Sequence, residues 1–437
     1  MGQLSVLSAS LSQGANDVSP APRVLIVGQG YVGLPLAIRA VELGFDVTGL
    51  DIDEPRIAML RRGQSYIEDI TAERLRAALA SGRFTPSQDP SACSGFHFFV
   101  ITVPTPLRES LPDLSFIESA ARAIAPLVRV GSTVILESTT YPGTTEELLV
   151  PALEAGSGLS AGTDFFVGYS PERIDPSNPI WKLENTPKVV SGIDAESLER
   201  VTEFYTALVD EVVPVRSTRV AELTKLLENT FRHVNIALVN ELAMFAFDLG
   251  VDVWEAIDAA ATKPFGFMRF TPGPGVGGHC LPVDPSYLSW EVRRRLGLGF
   301  RFVELANDVN DHMPDYVVRR VGAILNRDRK PINGSRILVL GLAYKRNSGD
   351  IRESPALRVC SLLHGAGAQL RVADPYADAD RSRWPLVAVT DEELSAADLV
   401  VLLTDHDAFD YERVGKVARS VLDTRNRIRR SDTVEVL

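Results

Sequence analysis

Apolar positions along the chain follow two alternating periods. Arg23–Val27 (RVLIV) is an apolar run of strand length, and a helical pattern then continues to about Gly44. Similar short runs recur at Asp46–Leu50, 96–103, Thr133–Leu136 and 165–169, with helical stretches between most of them. Strands apolar on both faces, alternating with helices, predict a parallel, doubly wound sheet reaching to about residue 215. The middle differs: positions 219–249 contain no Gly or Pro, Ser217 and Thr218 can cap the start, and Gly250 can end it. At 1.5 Å per residue this is a rod of roughly 46 Å, long enough to link two domains and offer a dimer face. A second helix is predicted over 254–262. An irregular Gly/Pro-rich loop comes next, from Pro272 to Cys280.

The last third repeats the first. Arg336–Leu340 (RILVL) matches RVLIV, and Gly341-Leu342-Ala343-Tyr344-Lys345 stands where the first glycine turn stood. A helix around 356–364 then leads to a strand, Gln369–Ala373, that ends in Asp374. This is a second βαβ-type unit without the glycine fingerprint, after a linker at 326–335. The predicted fold is α/β: two Rossmann-like, doubly wound parallel-sheet domains joined by a long central helix. The expected organisation is a mobile tail at 1–22, a first domain at 23–215, a central helical domain at 216–325 and a last domain at 326–437.

Composition narrows the function classes. The 437 residues are 45% hydrophobic and 23% charged, which excludes a mainly disordered chain. A formal net charge of −12 gives no electrostatic footprint for nucleic acid or an anionic membrane. No apolar run is long enough to span a bilayer, and residues 1–22 lack the basic and apolar regions of a signal peptide. The three cysteines, Cys93, Cys280 and Cys360, make neither a disulfide framework nor a zinc spacing. A reducing, cytoplasmic setting and no metal are expected.

Five motifs carry candidate chemistry. Gly28, Gly30 and Gly33 form GxGxxG between a strand and a helix, and Asp51 ends the next strand. This context predicts a dinucleotide pyrophosphate at the helix N-terminus, with Asp51 on the adenosine ribose. A carboxylate there favours NAD over NADP; Asp53 lies past the strand end. The bland alternative is a glycine turn that holds no dinucleotide. Gly277-Gly278-His279-Cys280, with Asp284 beyond, places a thiol in a flexible loop, where a thiolate can attack an aldehyde or acyl carbon. The competing reading is a partly buried free thiol. Cys360, in an apolar helix, reads as core, and Cys93 as structural. Lys225 and Asn229 stand four apart on one face of the long helix. Glu172, in Ser170-Pro171-Glu172-Arg173, comes just after a strand and can act as a base or pair with Arg173. Glu137-Ser138-Thr139 also ends a strand, and its hydroxyls can meet a cofactor or a water.

Taken in order, VGQGYVGLPLA, ESTTYPGTTEE, YSPERIDPSNP, AELTKLLENTFRHVNIALVNELA and PGPGVGGHCLPVDP resemble the UDP-glucose/GDP-mannose dehydrogenase family. GLAYKRNSGDIRESPA and DTRN extend the resemblance from Val24 to Arg425. It implies four-electron oxidation of a nucleotide-sugar at C6, from alcohol to carboxylate, using two NAD and a cysteine thiohemiacetal and thioester. It implies catalytic roles for Cys280, Lys225, Asn229, Asp284, Glu172 and Thr139. Cofactor contacts are expected at Gly28, Gly30, Tyr31, Val32, Gly33, Asp51, Arg56, Thr105, Thr139 and Arg352. Contacts with a UDP-sugar are expected at Glu172, Arg173, Lys225, Asn229, Gly277, Lys345 and Arg425. His279 stands where relatives carry Ser or His. The runs KPFGFMRF and YSPERIDPSNP are most similar to the UDP-N-acetylglucosamine 6-dehydrogenase branch, with Arg269 a departure. UDP-N-acetylmannosamine is the nearest competing substrate, ahead of UDP-glucose or GDP-mannose. A homodimer or higher homo-oligomer through the central helix is implied. Two other readings compete: a single-hydride dehydrogenase needing no thiol, and a catalytically silent nucleotide-binding module.

Overall fold

The computed structural model describes residues 21–90, 94–108, 111–175, 178, 180–278, 280–378 and 383–437; the Cys280 and Pro282 side chains are not described. Most of the expected tail, Cys93 and His279 lie outside the described residues. The chain divides into two compact units. The first comprises residues up to Pro104, Ser115–Ser138 and Gly143–Ala221; the second comprises Thr105–Leu114, Thr139–Pro142 and Glu222–Leu437.

Among the described residues the first unit holds eight strands: β1 Arg23–Val27, β2 Asp46–Leu50, β3 Phe84–Ser87, β4 Phe98–Ile101, β5 Thr133–Leu136, β6 Phe166–Tyr169, β7 Lys188–Gly192 and β8 Val212–Pro214. Their order is β8-β7-β6-β5-β4-β1-β2-β3. Neighbours pair in parallel except β6 and β7, which run antiparallel. β1 is an inner strand, flanked by β4 and β2, and all but its first residue are apolar and buried. Val24 and Ile26 pack into a cluster with Leu36 and Ala40 of the next helix, Gly33–Glu42, and with Phe204 and Tyr205. The strand predicted over 96–103 is shorter than its apolar run, because ladder pairing is confined to Phe98–Ile101.

The second unit carries a five-stranded parallel sheet: β9 Arg336–Leu340, β10 Gln369–Ala373, β11 Leu399–Leu402, β12 Val421–Asp423 and β13 Val434–Val436, in the order β10-β9-β11-β12-β13. Successive residues of β9 supply both faces. Ile337 and Val339 pack with Val359, Cys360 and Leu363, whereas Leu338 and Leu340 pack with Leu394, Phe409 and Val414. Cys360 is a buried free thiol, as its apolar helix predicts, and burial pushes it up to about 12.

The uninterrupted middle forms one helix, Thr218–Asp248, of 31 residues. Val253–Ala261 comes next, capped by the Asp252 carboxylate. Two further helices, Cys280–Leu296 and Arg301–Arg327, contain Pro285 and Pro314, respectively. Proline has no N–H, so the Asn310 carbonyl loses its helical partner at Pro314. Gly275 takes the space there: a Cβ on it would lie 3.1 Å from the Asn310 oxygen and 3.6 Å from Pro314 Cδ. Among the described residues no helix is long and apolar enough to cross a membrane.

Candidate active site

In the first unit the glycine turn has the geometry of a phosphate cradle. Gly28 has φ +92°, and its N–H donates to the Leu50 carbonyl at 2.7 Å. A Cβ on Gly33 would sit 1.9 Å from the Gly28 carbonyl oxygen, so only glycine lets the helix start this close to β1. A Cβ on Gly30, by contrast, would meet nothing within 4 Å. The helix Gly33–Glu42 has no side-chain cap at Val32 and no acidic residue in its first turn. Its first amides and the positive end of its dipole suit an anion. Asp51 is held in place by the Gln29 N–H at 2.8 Å and the Asp53 N–H at 3.0 Å. Its two oxygens retain further lone pairs for sugar hydroxyls. Arg56 stands 3.7 Å from Asp51 and 3.3 Å from Asp53, and Asp53 itself caps the helix Glu54–Arg61. Tyr31 is half exposed beside the turn. These residues fit a dinucleotide.

The loop after β6 carries Glu172 and Arg173. One Glu172 oxygen accepts the N–H groups of Arg173 at 2.6 Å and Ile174 at 2.5 Å; the other meets Lys188 Nζ at 3.2 Å. Arg173 donates to the Pro187 carbonyl at 2.6 Å. Lys188 Nζ is also 3.2 Å from Glu137, which accepts the Tyr205 hydroxyl. Glu172 therefore pairs with Lys188 across the sheet; its bond to Arg173 is through the Arg173 backbone N–H. Burial raises the Glu137 carboxyl, outweighing the pull of Lys188. Burial lowers the Lys188 amine, and the two carboxylates more than reverse this. The motifs alone do not single out Lys188 or Tyr205. Lys188 opens a strand that is buried throughout, and a cation there is the available signal.

In the second unit Lys225, Asn229 and Asp284 converge. They are 8%, 6% and 3% exposed. Asn229 Nδ2 donates to the Asp284 carboxylate at 2.6 Å. Burial pushes the Asp284 carboxyl up to about 6, against the opposing pull of Lys225 and Asn229. Cys280 is the first residue of the helix Cys280–Leu296 and not part of the loop. The Gly/Pro-rich composition masks this helix start. Along this helix Cys280 and Asp284 are about one turn apart.

The preceding loop is held at both ends. The Gly273 N–H donates to Asn240 Oδ1 at 2.9 Å, and Asn240 Nδ2 donates to Asn310 at 2.9 Å. A Cβ on Gly273 would meet Arg425 at 2.6 Å, one on Gly277 would meet Tyr344 Cβ at 2.8 Å, and one on Gly278 would meet the Tyr344 ring at 2.7 Å. The loop thus lies against the Tyr344–Lys345 turn and Arg425, whose Nε donates to the Leu403 carbonyl at 2.8 Å. Nothing in the sequence marks Asn240 and Asn310, because they lie on helices and act through one backbone amide. Thr105 is buried and bonds Tyr287, Thr139 is half-buried, and Arg352 forks onto Asp350 at 2.6 Å. Arg269 pairs with Asp258 at 2.7 Å on the surface. Among the described residues no cluster is arranged to hold a metal ion.

Known proteins share this layout. Three domain models of the UDP-glucose/GDP-mannose dehydrogenase family match in order: the NAD binding domain at residues 22–209, the central domain at 219–312 and the UDP binding domain at 338–430. The chain belongs to this family and is an NAD-dependent nucleotide-sugar dehydrogenase. It is 36% identical over 413 residues to a UDP-N-acetyl-D-mannosamine dehydrogenase of Pyrococcus horikoshii, covering 93% of this chain and 96% of the relative. It is 37% identical over 393 residues to a UDP-N-acetyl-D-glucosamine 6-dehydrogenase of Pseudomonas aeruginosa, covering 89% and 91%. The solved structure of a UDP-D-ManNAc dehydrogenase from Pyrococcus horikoshii superposes with a TM-score of 0.87 at 34% identity, covering 95% and 98% of the two chains.

Proposed function

We propose that the chain oxidises the C6 hydroxyl of UDP-N-acetylglucosamine to a carboxylate through a thiohemiacetal and a thioester on Cys280. The observation that carries this is the buried Lys225–Asn229–Asp284 cluster one helical turn from Cys280. Gly28, Gly30, Gly33 and Asp51 would hold NAD, which when bound would supply the hydride acceptor for each of the two oxidations. Asp284, titrating at about 6, is matched to accept the C6 hydroxyl proton near neutral pH. Lys225 and Asn229 donate to the oxygen that gains negative charge. A helix N-terminus favours the thiolate of Cys280, which adds to the C6 aldehyde. Water then hydrolyses the thioester, its proton accepted by the Glu172 carboxylate and its position held by Thr139. Lys345, Arg425, Gly277 and Arg173 contact the nucleotide-sugar. Tyr31, Val32, Arg56, Thr105, Thr139 and Arg352 contact NAD.

The relatives divide between UDP-N-acetylglucosamine and UDP-N-acetylmannosamine at similar identity. The KPFGFMRF and YSPERIDPSNP runs favour the former. The deciding experiment counts NADH per sugar consumed with each substrate. Two NADH per UDP-N-acetylglucosamine, with a uronate product, is expected. Two NADH only on UDP-N-acetylmannosamine overturns the sugar. One NADH with free aldehyde removes the thioester. Full turnover by Cys280→Ala would establish single-hydride chemistry instead.

The protomer pairs through the long helix. Leu223, Leu227, Phe231, Leu238, Leu242 and Phe245 are 43–63% exposed. At about 100° per residue they fall in one stripe roughly 100° wide, the width of a helix-packing face. Leu227→Glu with Leu238→Glu is expected to convert a dimer to monomer in sedimentation; an unchanged mass refutes this face. The setting is cytoplasmic.

A further inference from the structure

We infer that His406 is a positioning residue for nucleotide-sugar binding, holding the turn that carries Tyr344 and Lys345. This rests on the proposed contact between Lys345 and the substrate. His406 is fully buried and belongs to none of the motifs above. The Asn347 N–H donates to its Nδ1 at 2.9 Å. The proton is therefore on Nε2, which donates to the Asp374 carboxylate at 3.1 Å. The same Asp374 oxygen accepts the N–H groups of Leu342 at 2.7 Å and Ala343 at 3.1 Å. Asp374 thus grips the turn at its start directly and at Asn347 through His406. Asn347 is in the left-handed region at φ 56°, and its side chain exchanges bonds with Asp407: Nδ2 to the carboxylate at 2.6 Å and Oδ1 from the N–H at 2.9 Å.

Tyr344 and Lys345 lie between these two anchors. The Tyr344 ring is the surface against which Gly278 packs, two residues before Cys280. The imidazole therefore fixes a turn with two outlets: the Lys345 ammonium and the backing of the cysteine loop. Without the Nδ1 acceptor, the Asn347 N–H is left to find another partner. The binding-competent turn is then only one of several, which weakens apparent affinity by the fraction lost.

The test is titration of the full-length protein with UDP, and separately with NAD, for His406→Phe, His406→Asn and Lys345→Ala. Phe keeps the ring packing on Tyr376 and Phe409 but lacks both nitrogens. Asn places an amide oxygen near the Nδ1 position. The expected result is about tenfold weaker UDP binding for His406→Phe, the size expected when a buried N–H loses its partner. His406→Asn should recover most of it, and NAD binding should be unchanged in both. If Lys345→Ala weakens UDP but His406→Phe does not, the positioning role is overturned. If Lys345→Ala has no effect, the Lys345 contact itself fails. Equal loss of UDP and NAD binding by His406→Phe would show a general folding defect and overturn the inference. Should the Phe variant not fold, Asp374→Asn carries the same expectation and the same refutation.

Discussion

The two sheets make the same turn and put it to different uses. After β1, Gly28 packs on Thr102 and the turn amide of Gln29 reaches Asp51 at the end of β2. After β9, Gly341 packs on Thr404 and the turn amides of Leu342 and Ala343 reach Asp374 at the end of β10. Beyond the turn the two chains of residues diverge. Gly33 lets a helix begin five residues after Gly28, with open space at Gly30 for a ligand's phosphates. After Gly341 the positions that match Gly30 and Gly33 hold Ala343 and Arg346, and the next helix begins only at Pro355. The intervening loop instead displays Tyr344 and Lys345. One scaffold thus offers a backbone cradle, and the other a side-chain display. The paired aspartates differ accordingly. Asp51 accepts two backbone amides and keeps lone pairs for a further donor. Asp374 is sealed against His406 and backbone amides, which more than offset its burial and hold its carboxyl down at about 2.

Four changes would break or sharpen this contrast. The largest effect is expected from Gly33→Val, which must displace the Gly28 carbonyl; loss of several kcal/mol, enough to unfold much of the first unit, should appear in denaturant titration. Asp374→Ala strands five donors and should cost about 3 kcal/mol. Its depressed pKa also means that wild-type stability from this group is present above about pH 4 and is lost as pH falls towards 2. The variant should lack that acid-dependent component in melts between pH 2 and 5.

Asp284 has the opposite sign. Its folded pKa of about 6 lies above the unfolded value of about 4, so folding takes up a proton between them. Stability from this group falls as pH rises through that window, and Asp284→Asn should be the more stable protein at pH 8 by about 2 kcal/mol while losing at least ~100-fold in kcat. Equal melting temperatures at pH 8 would contradict the buried ionised carboxylate. The smallest effect on stability is expected for Gly30→Ala, whose methyl enters open space; the melting temperature should stay within about 2 °C while NAD affinity falls at least ~10-fold.

The sheets were legible because strands buried on both faces leave continuous apolar runs, as RVLIV and RILVL do. The long helix was legible because nothing in it breaks a helix. Arg301–Arg327 and Cys280–Leu296 were not, because Pro314 and Pro285 punctuate them as a loop would be punctuated. Lys225, Asn229, Asp284 and Cys280 were recognisable as residue types in a family pattern. The mutual burial of Lys225, Asn229 and Asp284, and the resulting shift of Asp284, were not, because desolvation depends on what packs around a group.

Sequence by itself determined the family, the two βαβ-type folds, the helix between them and the glycines that admit a dinucleotide, since these depend on local sterics and on periodicity within a few residues. Tertiary structure alone decided that Glu172 pairs with Lys188, that Asn240 anchors the cysteine loop, and that His406 and Asp374 hold the Lys345 turn. Those pairings join residues 16, 33 and 59 positions apart. Hydrogen bonds of that span leave no period in the sequence and exist only once the chain has folded.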